Sequence, residues 1–265
     1  AFMGPRSDYD AEEPEEIFHR NMRVMDLENR LGIDYHNFPP TVKLLTELYR
    51  KGVINRETTG GIELDGSYET ELNLLEMTAN REGFGNILAQ GMAGALRLMD
   101  LIPGDHGTHV KGYHALMEAR FNAMGTMEME SLVNPRGGVV AMGALGAPSY
   151  NPMRPVDQYI KQSKRVGMSE EDIRRIFSES SFNAARLTKH AEDCFSLHNC
   201  LGLCHRLYIS RFQSMDAIGA MFSAVSGMEL SGQELRQAAD RSWVLWKMLN
   251  ARIGFDRADD RPPKV

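Results

Sequence analysis

Cysteine is scarce in this chain and confined to one short stretch. The three cysteines are Cys194, Cys200 and Cys204, and the first 193 residues contain none. So few thiols, placed so close together, exclude the disulfide framework of a small secreted protein. The clustering favours metal or redox chemistry, although inert cysteines buried on a helix would give the same spacing.

Long apolar runs and an excess of positive charge are also missing. No run of about 18 apolar residues occurs, which predicts that no helix spans a membrane. The net charge is −6, from 36 acidic and 30 basic residues, whereas a nucleic-acid binder needs a basic face. The first residues contain neither a signal peptide nor an initiating methionine. We therefore expect a cytoplasmic piece of a longer protein, with no nucleic-acid or membrane partner.

The alternation of apolar and polar residues that marks β-strands is hard to find, whereas helix signals are frequent. Apolar residues recur at helical spacing, and capping sequences begin at Ser169 and Ser231. Predicted core stripes include Phe18, Met22 and Met25 near the start, and Leu235, Ala238, Ser242, Trp246 and Leu249 near the end. The fold class is predicted to be all-α and multihelical. Periodicity stops near residue 115, so two helical lobes are expected, 1–115 and 116–265.

Residues 101–153 form a stretch rich in glycine and proline that the periodicity does not explain. Long irregular segments inside a helical protein are commonly functional. His106 and His109 lie here among glycines, so a loop position with a surface or capping role is expected. Before this stretch, residues 86–100 are predicted to form one helix. Gly83-Phe84-Gly85 lacks the lysine and hydroxyl residue of a phosphate-binding loop, so its glycines are expected to separate two helices.

The densest set of candidate ligands lies between His190 and His205. Thiolates and imidazoles at this spacing can bind zinc or iron, although no zinc-finger pair of the C-x-x-C type is present. One hypothesis is a non-catalytic helical binding module with a structural zinc ion held by Cys194, His198, Cys200 and Cys204. In a helix, Cys194 and His198 would lie one turn apart and could face the same metal.

Four short motifs follow one another along the chain. They are Glu47–Ile54 with Thr59-Gly60-Gly61, then Arg81–Gly91, then His109–Gly112, and last Asn250–Phe255 with Asp259–Pro262. In this order they resemble the C-terminal half of the tungsten-containing aldehyde ferredoxin oxidoreductases. The resemblance covers nearly the whole chain. It implies the helical fold of that family's middle and C-terminal domains, with the N-terminal domain that covers the pterin absent.

Two further motifs, Asn29–Asp34 and Asn199–Cys204, resemble the family's pterin-contacting D-x-x-G-L-D and D-x-x-G-L-C. Each begins with asparagine where the family has aspartate, and a neutral amide is a weaker hydrogen-bond acceptor than a carboxylate. The resemblance implies pterin contacts at Asn29, Gly32, Asp34, Asn199, Gly202 and Leu203, with Arg136 as a further candidate. By the same match, Cys204 is the fourth ligand of a 4Fe–4S cluster.

Other parts of the family's site have no counterpart here. The C-x-x-C-x-x-x-C run that supplies three cluster ligands is missing, and Val139 and Val140 stand where the family has a histidine after Arg136-Gly137-Gly138. The parent implied by the resemblance is an enzyme with a tungsten (or molybdenum) bis-pterin and a 4Fe–4S cluster. It would oxidise aldehydes to carboxylic acids and pass electrons to ferredoxin or another redox protein.

The chain alone is expected to be inactive and to bind no cofactor, because a single thiolate cannot hold a 4Fe–4S cluster. The surface that would meet the missing N-terminal domain should be apolar, with residues 143–153 as its candidate lining. Exposed apolar patches tend to self-associate, so a homo-oligomer is expected.

Overall fold

The computed structural model describes residues 13–103, 106, 109–114, 126–137, 155–178, 182–204 and 214–261. The chain divides into two compact units after His114. We call residues 1–114 the first unit and residues 115–263 the second unit. Their assignment to the middle and C-terminal domains of a family stays a prediction.

The first unit contains five helices and one hairpin within its described residues. The helices are α1 (Pro14–Leu31), α2 (Phe38–Arg50), α3 (Tyr68–Asn80), α4 (Phe84–Leu88) and α5 (Gly91–Leu98). Strands β1 (His109–Val110) and β2 (Tyr113–His114) pair antiparallel, with His109 opposite His114. Lys111 and Gly112 connect them with φ of 52° and 83°. Two positive φ angles in a two-residue loop are typical of a tight hairpin turn.

The described part of the second unit is built from six helices. They are α6 (Thr126–Val133), α7 (Val156–Arg165), α8 (Glu170–Ile176), α9 (Ala184–Cys200), α10 (Met215–Ser226) and α11 (Gly232–Arg252). A single antiparallel bridge joins Phe177 to Phe182. In the described residues, the hairpin of the first unit is the only sheet. The predicted all-α, multihelical fold class is confirmed.

Glycines at two helix contacts let backbones approach closely. A Cβ added to Gly85 in α4 would lie 2.2 Å from the carbonyl carbon of Met77 in α3. A Cβ added to Gly232 at the start of α11 would lie 1.9 Å from the carbonyl oxygen of Met215 in α10. Both distances are far below van der Waals contact, so any side chain there must displace backbone. Gly83 and Gly85 therefore serve the α3–α4 connection, in line with their expected role between two helices.

Two helix predictions were wrong in detail. Residues 86–100 do not form one helix, because Gly91 adopts φ of 69° and separates α4 from α5. Residues 101–153 are not uniformly irregular, since they include the hairpin and α6. The hairpin depends on cross-strand pairing and α6 on packing against α9. Neither contact is visible in local periodicity.

The predicted core stripes of α1 and α11 were also partly wrong. On α1 the buried residues are Val24 and Glu28, whereas Phe18 is 60% exposed. On α11 the buried side chains are Leu235, Ala239 and Trp243, which pack toward α9 in place of Ala238, Ser242 and Trp246. The inner face of α11 is therefore offset by one residue from the predicted stripe. This offset leaves an apolar row of Val244, Leu245, Met248, Leu249 and Ile253 exposed.

Candidate functional site

The first pterin-like motif forms the end of α1. Gly32 adopts φ of 70°, its N–H faces the carbonyl of Asn29 at 3.4 Å, and the N–H of Ile33 donates to the carbonyl of Glu28 at 2.9 Å. This pair of bonds around a left-handed glycine is a Schellman cap. Leu31 and Ile33 pack partly buried against the core of the first unit. The motif thus closes the helix and holds the following residue, Asp34, at the surface.

Asp34 is fixed by two hydrogen bonds. Its Oδ1 accepts from the backbone N–H of His36 at 2.8 Å, and its Oδ2 accepts from the hydroxyl of Tyr113 in β2. The backbone N–H of His114 also reaches the side-chain oxygen of Asn37 at 3.4 Å. The hairpin that carries the His109–Gly112 motif is therefore attached to the end of the first pterin-like motif. No local sequence pattern indicates this attachment.

The second pterin-like motif ends α9 with the same geometry. Gly202 adopts φ of 68°, its N–H donates to the carbonyl of Asn199 at 3.1 Å, and the N–H of Leu203 donates to the carbonyl of His198 at 2.8 Å. The bonding pattern is again that of a Schellman cap. Gly32 and Gly202 thus both end helices with positive φ.

The side chains of the two motifs differ in how they are presented. Asn29 is exposed and its Nδ2 donates to the carbonyl of Met25 at 2.9 Å, which leaves its amide oxygen toward the surface. Asn199 and Cys204 are exposed, and Leu203 is half-buried. An accessible thiol after a rigid turn has the chemistry of a cluster ligand.

Arg136, the remaining pterin candidate, lies in a compact turn after α6. The side-chain Oδ1 of Asn134 accepts hydrogen bonds from the backbone N–H groups of Arg136, at 2.9 Å, and Gly137, at 2.8 Å. Asn134 is fully buried, whereas Arg136 is exposed. The guanidinium is therefore presented from a fixed backbone. Gly138, Val139, Val140 and the candidate apolar lining 143–153 lie outside the described residues.

Upstream of its motif, α9 carries a buried polar network. Arg236 of α11 donates to Nδ1 of His190 at 3.1 Å and pairs with Asp172 at 3.0 Å. Because a guanidinium only donates, Nδ1 is the acceptor and Nε2 carries the proton. Nε2 faces the sulfur of Cys194 at 3.6 Å. Burial, with the Arg236 charge beside it, lowers the pKa of His190 to about 3, so the imidazole is neutral.

The same face of α9 includes a second group of charges. Lys189 pairs with Asp193 and, at 2.5 Å, with Asp240 of α11. Burial raises the pKa of Asp193 to about 6, against the opposing effect of Lys189. Arg236 also approaches Asp193 at 3.6 Å. Pairs between charges of opposite sign thus join α9 to α11 along their length.

The hypothesised zinc site does not form. Cys194 is fully buried against His190, whereas Cys200 and Cys204 are exposed. His198 is buried, and its Nδ1 donates to the carbonyl of Cys194 at 2.6 Å. Among the residues described here, no three His, Cys, Asp or Glu side chains come close enough to hold a metal ion. Cys194 and His198 share the buried face of α9, whereas Cys200 lies on an exposed face and Cys204 lies beyond the end of the helix.

One feature of the second unit has no counterpart in the sequence motifs. Glu192 of α9 and Trp243 of α11 are both buried and line a shallow groove on the surface of the second unit. Burial raises the pKa of Glu192 to about 8. No local pattern marks Glu192 as buried, because the face of α9 around it is largely polar, and Trp243 lies on a helix whose inner face was predicted with an offset.

Comparison with known proteins assigns the chain to a family. The profile of the family described as "Aldehyde ferredoxin oxidoreductase, domains 2 & 3" matches residues 15–265. The chain belongs to the aldehyde ferredoxin oxidoreductase family. It is 24% identical over 246 residues to the tungsten-containing aldehyde ferredoxin oxidoreductase of Pyrococcus abyssi, covering 88% of this chain and 35% of that protein. The chain therefore spans about a third of this relative, and the family resemblance is confirmed.

Two further relatives extend the comparison. Over 105 residues the chain is 32% identical to the aliphatic sulfonate oxidoreductase, WOR-like subunit, of Pyrococcus furiosus, covering 38% of this chain and 16% of that protein. The active-site complex BamBC of benzoyl coenzyme A reductase, solved with 1,5-dienoyl-CoA, aligns with a TM-score of 0.70 and 19% identity. That alignment covers 92% of this chain and 40% of the other, and at this identity it shows the fold alone.

The two sequence relatives are named as oxidoreductases of different substrates, an aldehyde and an aliphatic sulfonate. Their names therefore do not fix a substrate for this chain. None of the described helices is both long and apolar enough to cross a lipid bilayer.

Proposed function

We propose that this chain is the C-terminal part of a cytoplasmic tungstopterin and iron–sulfur oxidoreductase that converts aldehydes to carboxylic acids with ferredoxin as electron acceptor. The observation that carries the proposal is the shared geometry of the two motifs. Asn29–Asp34 and Asn199–Cys204 end separate helices in the same Schellman cap, with asparagine and the last residue exposed in both. Two equivalent turns suit one cofactor that has two similar halves, such as a bis-pterin.

The residues available at these turns fit the proposed cofactors in their chemistry. The amide oxygens of Asn29 and Asn199 can accept from pterin N–H groups, and Asp34 adds a carboxylate. Gly32 and Gly202 hold the turns, and the backbone of Leu203 offers polar groups beside the pterin. Arg136 can donate to anionic oxygens from its fixed turn. Cys204 supplies the one cluster ligand in the described residues.

The bound groups would supply the redox chemistry: the tungsten (or molybdenum) pterin would accept two electrons, and the 4Fe–4S cluster would pass them on one at a time. This chain's own part is to bind and orient those groups. The remaining cluster ligands and the cover over the pterin belong to the N-terminal domain of the parent. Without them, we expect the isolated chain to be inactive, to bind no cofactor and to form a homo-oligomer.

The test uses the parent protein with its upstream region, expressed with tungstate and iron. We expect tungsten, pterin and iron in the purified protein, and oxidation of an aldehyde coupled to reduction of ferredoxin. In Cys204→Ser the iron content should fall sharply, because a serine hydroxyl replaces a soft thiolate ligand. The matched control is Cys200→Ser, since Cys200 is also exposed and bonds the hydroxyl of Ser242 at 3.8 Å.

Three outcomes would overturn the proposal. A purified parent that contains neither tungsten nor iron would contradict the proposed cofactors. Full iron content in Cys204→Ser, or equal iron loss in Cys200→Ser, would show that Cys204 is not a specific cluster ligand. A parent that contains both cofactors but oxidises no aldehyde would support the cofactor sites and exclude the proposed reaction.

A further inference from the structure

Helices α9 and α11 form a groove on the surface of the second unit, with a volume of about 470 Å³. Its lining consists of Lys189, Glu192, Trp243, Val244, Lys247, Met248 and Ala251. The walls are mainly apolar, because an indole ring, a thioether and aliphatic side chains make up most of them. A volume of this size is within the usual range for small-molecule sites.

Two polar groups in this lining are buried without a partner. Glu192 is 4% exposed and Trp243 is 3% exposed. Within the described residues, neither Oε1 of Glu192 nor Nε1 of Trp243 makes a hydrogen bond. A buried polar atom left unbonded costs free energy, and native proteins seldom retain two of them in the lining of one groove. A ligand that bonds both atoms would recover that cost.

The charged groups around Glu192 decide which kind of ligand suits the groove. Lys189 is neutralised by Asp193 and Asp240, and Lys247 donates to the carbonyl of Val133, the last residue of α6. Burial raises the pKa of Glu192 to about 8, with Lys247 and Lys189 opposing this rise and Glu130 and Asp193 adding to it. At neutral pH the carboxyl of Glu192 is therefore mostly uncharged and can both donate and accept.

We propose that this groove binds a small uncharged molecule that has an apolar body and a carboxamide group. The amide oxygen has two lone pairs, which can accept from the indole N–H of Trp243 and from the carboxyl O–H of Glu192. The amide N–H donates to the carbonyl oxygen of the same carboxyl. A cationic ligand would be repelled by Lys247. An anionic ligand would be repelled by the carboxyl of Glu192 once that group ionises, just above neutral pH.

Three probes of similar size and different charge test the proposal on the 265-residue chain as it stands. They are benzamide, benzoate and benzylamine, titrated at pH 7 and followed by ligand-observed NMR. Benzamide should bind about tenfold more tightly than either charged probe, because only benzamide satisfies both buried atoms at no electrostatic cost. Its affinity should fall as the pH rises through 8, since ionisation removes the carboxyl O–H.

Variants separate recognition by Glu192 from general apolar binding. Glu192→Gln keeps a donor and an acceptor, so benzamide affinity should persist and lose its pH dependence. Glu192→Leu keeps the volume and removes both groups, so affinity should fall about tenfold. Leu245→Ala, on α11 but outside the groove, should bind as the unaltered chain does. Circular dichroism of each variant checks that the helices are retained.

Several results would overturn the proposal. They are tighter binding of benzoate or benzylamine, absence of benzamide binding at millimolar concentration, and unchanged benzamide affinity in Glu192→Leu. The proposal is independent of the proposed function, because no redox reaction or bound cofactor enters its measurement.

Discussion

Helices α1 and α9 end in the same backbone turn, but they are held in place by different forces. On α1, the buried side chains are Val24 and Glu28, and most of the helix surface is exposed. On α9, ten side chains are buried, including His190, Glu192, Asp193 and His198. The first motif is secured after the helix, where Tyr113 bonds Asp34. The second is secured before its turn, by the charges that join α9 to α11.

The comparison separates what a local sequence encodes from what tertiary packing adds. A glycine after the last turn, followed by an apolar residue, is sufficient to produce the cap in both motifs. The position of each cap then depends on contacts made far along the chain, from β2 for α1 and from α11 for α9. Disrupting those contacts should therefore affect the two motifs unequally.

The largest effect is expected for Arg236→Met. The Arg236 side chain is 14% exposed, and its guanidinium bonds His190, Asp172 and, more distantly, Asp193. Removing one member of a buried charged network leaves the others unpaired, so the free energy of unfolding of the second unit should fall by about 3 kcal/mol. Urea unfolding followed by tryptophan fluorescence measures this, because both tryptophans, Trp243 and Trp246, lie in α11.

Arg241→Met is the matched control, since Arg241 lies on the exposed side of the same helix. Its cost should stay within about 0.5 kcal/mol, as is usual for surface substitutions. Equal effects of the two substitutions would mean that the charges do not hold α9 in place.

The second effect concerns the pH dependence of stability. The pKa of Glu192 is raised to about 8 in the folded chain, so the folded state holds a proton that the unfolded state has lost. Stability from this group is present at low pH and is lost as the pH rises toward 8. Between pH 6.5 and 8, the free energy of unfolding should fall by about 1.4 kcal/mol per pH unit.

Glu192→Gln should remove that slope, because the amide does not titrate. His190 acts in the opposite direction and at lower pH, since its pKa is lowered to about 3 and it stays neutral on folding. Asp193 titrates near pH 6. The difference in slope between the unaltered chain and the variant therefore isolates Glu192. An unchanged slope in the variant, measured by urea unfolding at each pH, would show that Glu192 is not buried as described.

Much of the fold could be predicted from the sequence, because helix signals are local. Caps at Ser169 and Ser231 and the glycines after α1 and α9 lie where capping rules place them. Predictions that needed tertiary information were wrong, such as the inner face of α11. In α1, Phe18 and Met22 have helical spacing but remain exposed, since spacing cannot distinguish a core face from another apolar face.

The candidate site residues were predicted mainly from the resemblance to a family. The spacing of the residues alone predicted less of the site. Spacing alone also allowed a zinc site at Cys194, His198, Cys200 and Cys204, which the helix geometry does not support. The hydrogen bond between Asp34 and Tyr113, and the groove that Glu192 and Trp243 line, bring together residues distant in sequence. Such pairings depend on how helices pack, which no single stretch of sequence encodes.

The third effect tests whether the two caps are equivalent. Gly32→Ala and Gly202→Ala each place a side chain at φ near 70°, and the added Cβ meets nothing within 4 Å at either site. The cost is therefore that of the backbone conformation alone, about 1 kcal/mol in both cases. Thermal unfolding by circular dichroism should give equal losses, and asparagine at either site should cost less because it tolerates this conformation. A clearly larger loss at one glycine would show that its cap has a further constraint.

The smallest effect is expected for Tyr113→Phe, which removes only the hydroxyl that bonds Asp34. Because the bond lies at an exposed position, the loss should be about 0.5 kcal/mol, at the low end for an ordinary hydrogen bond and below the range for a bond to a charged group. Hydrogen exchange should be faster in the backbone around Asp34 and in the hairpin, and unchanged at the end of α9. His36→Ala is a suitable control, because Asp34 bonds the backbone N–H of His36 and that bond survives the substitution. Faster exchange at Gly202 in Tyr113→Phe would contradict the separate anchoring of the two motifs.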